Sequence, residues 1–181
     1  KLVGAAFTGV FGVLAFPYLL LIVTAVSPWA GSTALWKNAL KHDPGNSVAH
    51  FNLAREYEEQ ALTGGVEDAE RDALLQQAYD EYQAALDNPA RTYRHDPARL
   101  FAAMALNHVH RGSPEKGLEL LDEAARNIDL PWRDERARND IEALIANPRG
   151  LALSALGRYE EAIAAFELAL AKSDRYAGAH I

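Results

Sequence analysis

The sequence contains no cysteine, which excludes disulfides, thiolate zinc sites, iron–sulfur clusters and covalently attached c-type haem within this chain. The absence leaves the compartment open, since a thiol-free chain suits either an oxidising or a reducing side of a membrane. Positive charge is scarce as well: 18 Lys and Arg stand against 25 Asp and Glu, and without Lys1 the balance is 17 against 25, a net −8. Such a chain repels phosphates, so nucleic acid and anionic lipid headgroups are disfavoured as partners, while basic proteins are easier ones. Phosphate-binding glycine loops, nucleophile elbows and zinc-protease helix motifs are missing too. Of the six histidines, His108 and His110 are two apart, about 200° round a helix, and cannot share an ion locally. Carboxylate runs such as Glu56, Glu58 and Glu59 read as solvated helix faces. No catalytic residue, metal site or cofactor is expected.

Charge is missing altogether from Leu2 to Val26. At about 1.5 Å per residue this stretch reaches roughly 37 Å as a helix, enough to cross a hydrocarbon core of about 30 Å with tilt to spare. The rival reading is a secretory signal peptide, with Ala25-Val26-Ser27 or Trp29-Ala30-Gly31 as cleavage region, but the run exceeds the usual apolar region of about 7 to 15 residues. Residues 1–30 are therefore expected to form a single transmembrane helix. Pro17 removes a backbone donor near its middle and predicts a kink. Gly4, Thr8 and Gly12 fall four apart with Gly9 beside them, a strip of small side chains that lets another helix approach closely in lipid. Trp29 and Trp36 suit the interface, and Lys1 alone precedes the span, which weakly places the N-terminus in the cytoplasm and residues 31–181 on the periplasmic or extracytoplasmic side.

The remainder repeats itself. Ala162, Phe166 and Ala169 make an i, i+4, i+7 stripe on a helix bounded upstream by Gly157, and Gly150 lies seven residues before that turn, where two paired helices would touch most closely. The pattern returns as Ala78, Tyr82, Ala85, Leu86 and more weakly as Gly117, Leu121, Ala124, Ala125. Trp36, Ala39 and Leu40 followed by Asp43-Pro44-Gly45-Asn46 look like the end of a preceding second helix and an inter-repeat turn. Ser47 to Tyr57 then reads as a first helix. The small–aromatic–small pattern resembles the tetratricopeptide repeat (TPR) over roughly residues 33 to 181. That resemblance implies an all-α solenoid of about three helix pairs after a leading half-repeat, which holds other proteins.

Positions 78, 117 and 162 stand 39 and 45 apart, where the family repeats at about 34. Insertions are expected at Thr63-Gly64-Gly65-Val66, from Asn88-Pro89 to Asp96-Pro97, and from Asp129-Leu130-Pro131-Trp132 onward, with a helix break or kink near Ala146–Asn147 ahead of Pro148. Ala177-Gly178-Ala179-His180-Ile181 matches Ser47-Val48-Ala49-His50-Phe51 in phase, so further sequence is expected beyond Ile181, and Lys1 in place of Met suggests a missing or processed start.

The family's concave groove, lined by first helices, implies Phe51, Asn52, Arg55, Arg99, Leu106 and His110 as candidate partner-binding residues. Its grip on a C-terminal carboxylate is incomplete here, because Asn52 is matched by Ala103 and Pro148. The leading reading is a non-catalytic membrane-anchored scaffold, an accessory subunit that meets other subunits of a membrane complex through both span and repeats. Two alternatives stay open. The junction from Ala34-Leu35-Trp36 to Asn52-Leu53 is similar to that of membrane mannosyltransferase-like proteins, whose catalytic part would lie upstream. An assembly factor for secretion or cytochrome maturation has the same plan of anchor and repeats.

Overall fold

The computed structural model describes residues 32–87, 96–128 and 134–172. The anticipated span, with Gly4, Thr8, Gly9, Gly12 and Pro17, lies outside the described residues, as do His95, the segment 129–133 and the chain after Lys172. Among the described residues no helix is long and apolar enough to cross a membrane. They form seven α-helices and no strand: α1 (Ser32–His42), α2 (Ser47–Thr63), α3 (Asp68–Leu86), α4 (Pro97–His110), α5 (Pro114–Arg126), α6 (Glu135–Ala155) and α7 (Tyr159–Lys172). The expected all-α class is what the described residues adopt.

Helix starts follow local chemistry. Asn46 accepts a hydrogen bond from the Ala49 amide at 3.0 Å, Asp96 from that of Ala98 at 3.0 Å and Asp134 from that of Ala137 at 2.7 Å, each satisfying a donor that the first turn leaves free. Pro97 and Pro114 occupy first-turn positions, where the missing amide costs nothing. Two hairpin turns are alike in detail. Gly112 and Gly157 have φ of 72° and 74°, a left-handed conformation that a β-carbon disfavours, and stand at the same repeat phase. Behind them Ser113 donates to His108 O at 2.8 Å and Arg158 to Leu153 O at 2.9 Å, the six-to-one bond of a Schellman cap.

The closest packing is within α2/α3, α4/α5 and α6/α7, and successive pairs stack through α3 on α4 and through α4 and α5 on α6. Small side chains bring the helices together. Ala78 and Ala85 are fully buried on α3 beside Tyr82, and Gly117, Leu121 and Ala124 are buried on α5. A β-carbon on Gly150 would stand 2.5 Å from Cε1 of Phe166, so the expected close approach in the last pair occurs between those residues. The core runs through the whole array. Leu53, Tyr57, Tyr82, Leu100 and Met104 form one cluster and Ala98, Ala102, Leu121, Ile141 and Ile145 a second; Leu120 touches both. Leu118 joins the second to a third around Leu153, Ala162 and Ala165. Trp36 and Leu40 of α1 pack on the first cluster.

Of the break or kink expected ahead of Pro148, the break does not occur: α6 continues to Ala155. An interior proline costs about 3 kcal/mol in an unsupported helix, yet Ile141, Ile145, Ala146, Ala152 and Leu153 are buried on both sides of it, and Pro148 is itself buried. Packing of both halves on their neighbours outweighs the lost donor. The 45-residue interval is housed in part by α6 itself, 21 residues long against 14 in α4.

Candidate interaction surface

On α2, α4 and α6, residues seven apart lie within about 20° of one another around the helix, so each such pair marks one stripe. On α4 that stripe carries Arg99 and Leu106; Arg99 is exposed and Leu106 half-buried, while most of the helix is covered by neighbours. Moving by the 45-residue interval reaches Leu144 and Leu151 on α6, 37% and 38% exposed, an unusual state for leucines in a helix whose other large apolar side chains are buried. The same phase on α2 is held by half-buried Val48 and exposed Arg55. α4 packs on α6, while α2 reaches α4 through the cluster in which Leu53, Ala54 and Tyr57 meet Leu100 and Met104 and through the contact of Glu58 with His110.

The six groove candidates divide. Arg55, Arg99 and Leu106 lie on the open stripe. Phe51 is turned to the core, its ring 5.6 Å from that of Tyr82, and Asn52 donates to Val48 O at 2.8 Å within its own helix. His110 places Nδ1 3.3 Å from a Glu58 carboxylate oxygen. That carboxylate also accepts from the Tyr82 hydroxyl at 3.1 Å, and burial first, then Glu58, pushes the Tyr82 pKa well above its ordinary value, so the hydroxyl stays a donor. Leu144 and Leu151 escaped notice in the sequence because the expected break at Pro148 lay between them; the interval from Arg99 and Leu106 is the signal that finds them.

Two further histidines, His50 and His108, make packing and hydrogen-bond contacts within the array. His50 has Nδ1 2.6 Å from Glu81 and Nε2 2.9 Å from Pro44 O, joining the inter-repeat turn to α3. His108, nine residues from Arg99 and so on the opposite side of α4, meets Tyr79 edge to face at 4.9 Å. Burial, followed by Arg111 and Lys116, lowers its pKa. It borders an open depression of about 450 Å³ where Lys116 and Arg126 mix with Glu119, Asp122 and Glu123, so neither sign of charge dominates. Among the described residues no group of three or more His, Asp and Glu could hold a metal ion. No family model matches the chain, and no curated protein is found similar to it.

Proposed function

We propose that the chain is a membrane-anchored scaffold of TPR type: residues 1–30 cross the bilayer, and residues 31–181 form an α-solenoid that holds another protein on its extracytoplasmic side without catalysing a reaction. The observation that supports the reading is the stripe on α2, α4 and α6, which recurs at one phase, is exposed at Arg55, Arg99, Leu144 and Leu151 and half-buried at Val48 and Leu106, and carries two leucines open to solvent on a helix whose other large apolar side chains are buried. A repeat array buries what stacks and leaves free what receives a partner. The small-residue contacts at Ala78, Gly117 and Gly150 support the TPR assignment, because they occupy the positions at which that family draws its helices together.

In this reading the span is more than a tether. Gly4, Thr8, Gly9 and Gly12 form a close-packing face and Pro17 a kink, so the helix docks against other subunits in lipid. The expected test outcome is co-elution with further subunits when the full chain is purified in mild detergent and its mass measured. A chain that runs alone as a monomer removes the scaffold reading.

A further inference from the structure

Among the described arginines, most have a partner for the guanidinium group. Arg71 donates to His110 O, Arg111 to Gln76, Arg126 to Glu123, Arg138 to Glu142, Arg149 to Asp122 and Arg158 to Glu161. Arg55 and Arg99 have neither a hydrogen bond nor an ion pair from their guanidinium groups among the described residues, although the chain has a net charge of −7 and an excess of carboxylates. Both stand on the open stripe, and its other exposed members beyond α2 are Leu144 and Leu151. Charge and apolar surface are thus graded along the array, with arginine at α2 and α4 and leucine at α4 and α6. Glu59, four residues after Arg55, is the acidic group exposed on the same face of α2.

We infer that this stripe takes an acidic, leucine-rich segment of a partner protein, whose carboxylate side chain lies between Arg55 and Arg99 and whose apolar side chains lie on Leu106, Leu144 and Leu151. The inference rests on the scaffold reading above and names the partner's chemistry. A guanidinium is weakly hydrated and meets a carboxylate through two parallel N–H groups, so two unpaired arginines favour a partner carboxylate over a partner ammonium. The carboxylate belongs to a side chain and not to a chain end: Asn52 spends its amide on Val48 O, and the matching positions on α4 and α6 are Ala103 and Pro148, which can donate nothing. Leucines on both sides of the contact exclude water from it and strengthen the ion pair. This polarity opposes what the net charge alone favours, a basic partner, and the two expectations can be separated.

The probe is a short synthetic peptide, acetylated and amidated at its ends, in which Asp and Leu alternate; versions with Lys for Asp and Ser for Leu serve as controls. Fluorescence polarisation against the full chain in detergent micelles should show binding of the Asp–Leu peptide and weak or no binding of the other two. Arg55→Gln with Arg99→Gln should weaken it by about tenfold or more, as should Leu144→Ser with Leu151→Ser. Glu59→Gln should tighten it. Arg55→Glu with Arg99→Glu should transfer the preference to the Lys peptide, a gain that a misfolded variant cannot show. Equal or tighter binding of the Lys peptide by the unaltered chain overturns the inference and leaves the scaffold reading standing. So does an array of co-purifying subunits that is unchanged by the Arg55→Glu, Arg99→Glu pair. A chain that carries no subunits in mild detergent defeats the scaffold reading itself.

Discussion

The two junctions between successive helix pairs are built from different chemistry. Between the first and second pairs, apolar contact by Leu100 and Met104 is overlaid by polar links: the buried Asn107 amide donates to Leu75 O at 3.0 Å, Arg71 to His110 O at 3.1 Å, and His110 meets Glu58. Between the second and third pairs Ile141 and Ile145 pack with Ala98, Ala102, Ala105 and Leu121, and Arg149 reaches Asp122 at 2.7 Å at the exposed rim. An apolar junction derives its strength from surface removed from water and is indifferent to salt and to protonation. A polar junction yields less net free energy per contact but demands that each donor meet its acceptor, so it fixes register more than it adds stability.

The comparison predicts an order of effects. The largest belongs to the apolar junction. Ile141 is 1% exposed, and Ile141→Ala should cost about 2–5 kcal/mol through lost transfer energy and the cavity left behind. Urea unfolding of the full chain checks this, and the loss should be the same at low and high salt. A loss that shrinks with salt would mean that charge, and not Ile141, carries this junction.

The next effect is at Asn107, which is fully buried and whose Oδ1 accepts no hydrogen bond among the described residues. Asn107→Ala removes a donor and leaves a void, which should cost about 1–3 kcal/mol. Asn107→Leu fills the void and discards the unsatisfied oxygen, so it should cost less than the alanine. Denaturation midpoints of the two variants compare them directly, and equal losses would show that the bond to Leu75 O matters more than the space.

The smallest effect is that of pH, and it too belongs to the first side of the molecule. Burial, Arg111 and Lys116 hold the His108 pKa below its ordinary 6.5. The unfolded chain then takes up a proton at a higher pH than the folded one. Stability from this residue is complete above 6.5 and declines as the pH falls from there toward the lowered folded value. Melting temperatures should drop slightly from neutral pH to about pH 5, and His108→Phe should flatten the slope. Glu142 responds in a separate, lower window: its hydrogen bonds to Lys172 and then Arg138 hold its pKa below 4.5, so its contribution is lost as the pH falls below that value. A slope that survives in His108→Phe assigns the effect to another group.

How far the sequence foretold these features depends on whether a local rule decided them. The inter-repeat turn at Asp43–Asn46, the hairpin glycine at 157 and the burial of Ala78, Tyr82, Ala85 and Ala162 were legible because turn geometry and helical period act over a few residues. The close contact of Gly150 was legible because a glycine seven residues before a turn has few other uses in a helix. The continuity of α6 through Pro148 was not, because it depends on burial against α4, α5 and α7, partners far away in sequence. Phe51 depends on a distant partner in the same way. Its phase allows groove or core, and only the position of Tyr82 decides between them. The free stripe was half legible: Arg55, Arg99 and Leu106 came from repeat phase, while Leu144 and Leu151 required knowing that the helix does not break between them.

The most direct test of the central claim, that the repeats hold a partner on the shared stripe of α2, α4 and α6, is site-specific photocrosslinking of the full chain inside the cells that make it. A photoreactive phenylalanine analogue would be placed in turn at Leu151 on the stripe and at Leu168 on α7, both exposed. The account predicts a strong adduct from position 151 with one protein, lost when Arg55 and Arg99 are both replaced by glutamate, and little or none from position 168. Equal labelling from both sites, or labelling from 168 alone, would contradict it.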